Sequence, residues 1–130
     1  MRRWRLDSPD EMADDELTIG EQLAEWGKVA LIEATGRRTG RAATAAVGFV
    51  EEPDGSLFIA AGSTDADWAL NLQADAVCLV TIGELSRRYL ARLLDDDDAD
   101  RARALTALIL KYGTPAERLG NGPVFRLVPA

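Results

Sequence analysis

Lys28 to Val50, KVALIEATGRRTGRAATAAVGFV, is the stretch that most limits the folds open to this chain. Two apolar, Ala- and Val-rich runs flank Gly36-Arg37-Arg38-Thr39-Gly40, and Arg41 follows at once. Such runs on either side of a glycine-bounded turn predict a β-hairpin, because Gly36 and Gly40 can take positive φ without steric cost. The strands are expected over Lys28–Ala34 and Arg41–Val50. The turn sets three arginines within positions 37 to 41. Exposed main-chain N–H groups beside guanidinium forks would form a cradle for a phosphate or a carboxylate. The competing reading is that arginines on a hairpin turn serve solubility alone.

Composition narrows what such a cradle could serve. The net charge is −7, so general affinity for nucleic acid or anionic lipid is not expected, and the arginines form a local positive site on an acidic background. The chain has no histidine, so a zinc site and histidine-dependent triads are not expected. An enzyme of this composition would take its chemistry from a bound cofactor. The single cysteine, Cys78, lies in AVCLVTI and reads as a buried, inert thiol with no intramolecular partner. At 130 residues the chain is expected to be one domain over 16–130, preceded by a polar arm at 1–15. No apolar run approaches the ~18 residues of a membrane span, and the basic start leads into acids, so a cytoplasmic location is expected.

Along the chain, Leu17, Ile19, Leu23 and Trp26 predict a short amphipathic helix over Glu16–Trp26. Glu51-Glu52-Pro53-Asp54-Gly55 predicts a turn, and Ser56–Ala61 a strand. A short helix is expected over Ala66–Gln73, with Asp65 as its N-cap and Trp68 and Leu72 facing the sheet. Ala76–Ile82 reads as a strand buried on both faces, and Leu85–Leu94 as a strand by its alternation. The four acids Asp95 to Asp98 read as a helix start rather than a metal site. Ala102, Leu105, Leu108, Ile109 and Tyr112 keep helical spacing up to Gly113. Ala116–Gly122 reads as a loop and Pro123–Val128 as a closing strand. Six mostly antiparallel strands with short helices between them predict an α+β domain on a closed or partly closed barrel.

GRRTGR after an apolar strand, a Pro-Asp-Gly turn, a strand ending Ala-Ala-Gly-Ser, and Ala-Asp-Trp-x-x-Asn-Leu opening a helix together resemble the deazaflavin-dependent nitroreductase family. The resemblance covers about Val29 to Pro129. It implies a split β-barrel and the cofactor F420, a deazaflavin with a phospholactyl-polyglutamate tail. It implies that Arg37, Arg38, Thr39, Gly40, Arg41 and Thr44 serve the cofactor from the turn and second strand, with the main chain of Ala60, Ala61, Gly62 and Ser63 along the ring. Trp68 would pack beside the ring or anchor its helix in the core. Hydride transfer to a small electron-poor acceptor needs no essential side-chain base, so no catalytic residue is assigned. Asp65 and Asp67 would repel a phosphate, so the tail is expected on the arginine turn.

The chain also departs from the family pattern. G-R-R-S-G-x-P-R is common, but Ala42 and Ala43 stand where Pro and a further Arg occur. The aromatic often found at Gly48 and the Tyr often found at Ala69 are missing, which is expected to widen or reshape the pocket. The alternatives are FMN, another anionic flavin or a tetrapyrrole in the same barrel, or a non-catalytic carrier. A homodimer is expected by analogy with split barrels.

Overall fold

A computed structural model of the chain describes residues 26–113 and 119–130. The expected arm, the helix before Trp26 and part of the 116–122 loop lie outside the described residues. Within them, seven strands form one antiparallel sheet: β1 (Ala30–Thr35), β2 (Ala42–Val47), β3 (Val50–Glu51), β4 (Leu57–Ala60), β5 (Val77–Ile82), β6 (Leu85–Leu93) and β7 (Val124–Pro129). Helix α1 (Asp67–Ala74) joins β4 to β5, and α2 (Ala99–Tyr112) lies between β6 and β7.

The strand order is β2-β1-β5-β6-β7-β4-β3. β2 and β3 stand at opposite ends of it, yet only Gly48 and Phe49 separate them in sequence. Three Cα steps reach at most about 11 Å, whereas six strand spacings in a flat sheet measure about 29 Å. The sheet must therefore curl until its two edges nearly meet. The result is a barrel left open between β2 on one side and β3 and β4 on the other, an α+β split barrel as expected.

The hairpin forms as the turn predicts, with Ala30 opposite Val47 and Thr35 opposite Ala42. The second strand is shorter than expected. Its 41–50 run breaks at Gly48-Phe49, and the residues beyond pair with β4 as β3. The cause lies on α2: the Phe49 N–H donates to Tyr112 Oη at 3.1 Å, and Tyr112 donates to Lys28 O at 2.7 Å. A Cβ on Gly48 would sit 3.0 Å from the Tyr112 ring, so glycine admits the ring where the chain crosses.

The core follows the two-residue alternation of the strands. Ile32, Leu57, Ile59, Cys78, Val80, Phe125 and Leu127 fill the barrel, with Leu72 of α1 closing one end. Phe58, Ala60 and Val124 face outward beneath Ala104 and Leu108 of α2. β4 is thus buried on both faces, which is why it reads as an unbroken apolar run. Burying a side chain such as Phe58 or Leu108 contributes about 1.5–3 kcal/mol. Burial also raises the Cys78 thiol to about 11.

The acid run begins α2: Asp98 caps it by accepting the Asp100 N–H at 2.9 Å. Gly113, at φ 82°, ends it. The β3–β4 turn is fixed by Ser56, whose N–H and hydroxyl both donate to Asp54 Oδ1 at 2.9 and 2.6 Å. Those bonds, with Arg126 behind them, hold the Asp54 carboxyl down to about 2.

Candidate functional site

The Gly36–Arg41 turn is closed by its own main chain. Gly36 N donates to Arg41 O at 2.7 Å, and Gly40 N donates to Gly36 O at 2.8 Å. Only Gly40, at φ 75°, uses the left-handed region. At Gly36 space favours glycine instead, since a Cβ there would lie a tight 3.1 Å from both Arg41 O and Thr39 Oγ1. Thr39 Oγ1 accepts the Arg41 N–H at 3.1 Å. Among the described residues, these bonds leave the N–H groups of Arg38 and Thr39 at the tip without a protein partner.

The three arginines separate into two groups. Arg38 and Arg41 are exposed and form no ion pair among the described residues. Arg37 folds back on α1. Its main-chain N–H and its Nη1 both donate to Asn71 Oδ1, at 3.0 and 2.8 Å. Nη1 also reaches Asp67 O at 3.3 Å, and Nη2 pairs with Asp67 Oδ1 at 3.2 Å. The turn is thereby fixed to the helix whose start follows the Ala-Ala-Gly-Ser segment.

That segment ends β4. Ala60 pairs with Val124, and Ala61 N donates to Pro123 O at 2.9 Å. The side chains of both alanines are buried, so only their main chain can meet a ligand. Gly62 and Ser63 are exposed, and a Cβ on Gly62 would meet nothing within 4 Å. Among the described residues, the N–H groups of Gly62 and Ser63 have no partner. Ser63 Oγ donates to Asp65 Oδ1 at 2.8 Å. Asp65 is therefore not the expected cap. Ala66 holds that position, and its carbonyl accepts from Ala69 and Leu70.

Across the split, β2 offers an open edge among the described residues, where its only sheet partner is β1. Ala43 and Ala45 share the register of the core residues Ala34 and Ile32. Thr44 pairs with Glu33 and points to the opposite, outer face. Trp68 is half-buried and tilts 49° against Phe125 at 5.8 Å between ring centroids, so it anchors α1 to the barrel. Of the two expected effects of the missing aromatics, widening does not occur at these positions. The Tyr112 ring lies over Gly48, and Ala69 is fully buried in the core.

Two residues given no role from sequence shape this rim. Asn71 is only 5% exposed and takes two donors from Arg37. Its place between the core-facing Trp68 and Leu72 was the available signal. Gly122 packs on the loop after β4: a Cβ there would lie 2.3 Å from Ala61 O and 2.8 Å from Ser63 O. Arg101 steadies that strap by donating to Gly120 O and Gly122 O at 3.3 and 3.1 Å. On the other side of α1, a cavity of about 650 Å³ opens between Leu70, Gln73, Leu94, Arg101 and Asn121.

A model of the F420H2-dependent quinone reductase family matches residues 6–120 of the chain. The chain belongs to this family. Curated proteins gave no match. Among solved structures, the haem storage protein HutZ of Vibrio cholerae is similar at 17% identity and a TM-score of 0.68, over 90% of this chain and 89% of that one. An F420H2-dependent reductase, FDR-A, is similar at 23% identity and a TM-score of 0.65, over 77% and 93%. A domain-swapped dimer is similar at 21% identity and a TM-score of 0.64, over 92% and 99%. These likenesses show the split-barrel fold, and family membership makes the chain an F420-dependent reductase. The described residues fit such a cofactor. Free guanidinium forks and unpaired N–H groups suit an anionic tail, and an open strand edge with small side chains suits a flat ring. Among the described residues no group of His, Cys, Asp and Glu could hold a metal ion, and no helix is long and apolar enough to cross a membrane.

Proposed function

We propose that the chain reduces a small electron-poor acceptor, an enone, a quinone or a nitro compound, with F420H2 held in the split between β2 and β4. The observation that carries the proposal is the pairing of an open, small-residue β2 edge with a turn whose Arg38 and Arg41 face solvent. When bound, reduced F420 supplies a hydride from C5 of its ring. Arg38, Arg41 and the N–H groups of Arg38 and Thr39 bind the tail. Thr39 keeps its hydroxyl proton available as a further donor, because Oγ1 already accepts from Arg41. Ala43 and Ala45 admit the ring edge, and the core behind them excludes water. The N–H groups of Gly62 and Ser63 stabilise negative charge that develops on the bound molecules. No side chain is required to move a proton, in keeping with the absence of histidine.

The experiment is turnover of F420H2 by the purified protein, read as return of the oxidised cofactor's absorbance with a panel of enones, quinones and nitroaromatics. Turnover with at least one acceptor is expected. Binding without turnover across the panel would instead support a cofactor carrier. FMN in the same split would show as a flavin spectrum in the freshly purified protein. A haem-storage role like that of HutZ is disfavoured by the lack of histidine and by the burial of Cys78. The protein is further proposed to pair as a homodimer. The outer sheet face leaves Val77, Leu90 and Val128 at 40, 46 and 41% exposure, and one structural neighbour is a dimer. Sedimentation at micromolar concentration checks this, and a monomer would refute it.

A further inference from the structure

We propose that Arg37 is a positioning residue and not a ligand of the anionic tail. Together with Asn71 it straps the turn to α1, which leaves charge recognition to Arg38 and Arg41. The proposal rests on the cofactor reading above and assigns different work to neighbouring arginines of one turn.

The Arg37 side chain is only 20% exposed, and its donors are directed inward. One carboxamide oxygen, Asn71 Oδ1, accepts both the main-chain N–H and the Nη1 of this single residue, 34 positions earlier in sequence. The Asp67 carbonyl takes a second Nη1 bond, and its carboxylate pairs with Nη2. The Asp67 side chain is 85% exposed, so solvent screens its charge and the weight of the strap falls on buried Asn71. A tail phosphate that captured Arg37 Nη1 and Nη2 would strip a donor from buried Asn71 Oδ1 and break the contacts to Asp67. Arg38 and Arg41 carry no such cost among the described residues.

The geometry also explains what the strap is for. Among the described residues, the turn's other bonds are internal: Gly36 to Arg41, Gly40 to Gly36, and Arg41 to Thr39. They set its shape but not its place on the barrel. Arg37 and Asn71 tie it to α1, which begins just after the Gly62–Asp65 loop. Tail site and ring site thereby keep a fixed separation.

The test uses the full-length protein and F420 itself. The variants are Arg37→Ala, Arg37→Lys, Asn71→Ala, Arg38→Ala and the double Arg37→Ala/Asn71→Ala. In urea unfolding without cofactor, the strap predicts that the double variant loses clearly less than the sum of the two single losses, because the Arg37 Nη1 to Asn71 Oδ1 bond is counted in both. It also predicts that Arg38→Ala unfolds like the wild type. Additive losses would overturn the strap. In F420 titrations at several salt concentrations, Arg38→Ala should weaken binding about 10- to 100-fold and flatten the salt dependence. Asn71→Ala removes no charge, yet it should weaken binding as much as Arg37→Ala does, and both should keep the wild-type salt slope. If Arg37→Ala flattens the slope while Asn71→Ala binds like the wild type, Arg37 is a tail ligand and the proposal is wrong. Should the alanine variants fail to fold, Arg37→Lys decides. The strap predicts lost affinity despite the retained charge, and a tail-ligand role predicts binding close to the wild type. If the wild type binds no F420, the cofactor reading fails, and the urea cycle still decides the strap.

Discussion

Replacing Gly122 by alanine should unsettle the loop that carries Gly62 and Ser63. The added Cβ would stand 2.3 Å from Ala61 O, 2.8 Å from Ser63 O and 2.9 Å from the Ala61 carbonyl carbon. All three are main-chain atoms, so no side chain can swing aside. Ordinary contact begins near 3.4 Å, so one of the two segments must move by about 1 Å. Overpacking of this kind costs about 1–3 kcal/mol. The Ala61 N–H to Pro123 O bond, 2.9 Å long, lies within the displaced region, and its loss adds about 0.5–1.5 kcal/mol. The sum, about 1.5–4.5 kcal/mol, corresponds to a fall in melting temperature of roughly 5–18 °C for a chain of this size. Thermal unfolding followed by tryptophan fluorescence measures it, since Trp68 packs on Phe125 beside the loop. Gly120→Ala is the matched control: nothing lies within 4 Å of its added Cβ, and it should stay within about 0.5 kcal/mol of the wild type. Equal stability of Gly122→Ala and Gly120→Ala would refute the close packing of the 119–123 strap on the 61–63 loop.

Three further outcomes follow from the same packing. Tyr112→Phe should cost about 1–3 kcal/mol in urea unfolding, because it leaves the buried Phe49 N–H without its acceptor. Cys78, raised to about 11 by burial, should resist alkylation at pH 8 until the chain unfolds; its folded pKa lies above the ordinary 9.0, so its contribution to stability is full below about 9 and is lost as pH rises toward 11. Asp54 behaves in the opposite sense: its carboxyl is held at about 2 against an ordinary 3.8, so the stability it contributes is present above about pH 4 and is lost as pH falls toward 2. Ser56→Ala should flatten that acid dependence, and an unchanged urea midpoint profile between pH 4 and 2 would contradict the assignment.

What the sequence made legible was local. The hairpin, its glycine-bounded turn, the Pro-Asp-Gly turn and the capped α2 each depend on residues a few positions apart, and each forms as the pattern predicts. The burial of Cys78 reads correctly from its apolar run, but Ala76–Ile82 is not buried on both faces as expected: only Cys78 and Val80 are buried, and Val77 on the other face is 40% exposed. The features that escaped depend on distant partners. The strand break at Gly48-Phe49 is set by Tyr112, some sixty residues further on. Arg37 looked like its neighbours Arg38 and Arg41, because only the placement of α1 turns its fork toward Asn71. Gly122 looked like loop punctuation until Ala61 and Ser63 came against it. Asp65 looked like a cap, but Ser63 Oγ takes its carboxylate. Sequence therefore pointed to the candidate turn, and tertiary contacts set Arg37 apart from Arg38 and Arg41.

The central claim is that the split between β2 and β4, with the Arg38–Arg41 turn beside it, binds F420. Titration of the purified protein with F420, followed through its tryptophan fluorescence, tests that most directly. A saturable change that weakens as salt rises is expected, and Gly62→Leu should abolish it without loss of stability, since that side chain would enter open space in the free protein. No saturable change up to high-micromolar cofactor, or full binding by Gly62→Leu, would contradict it.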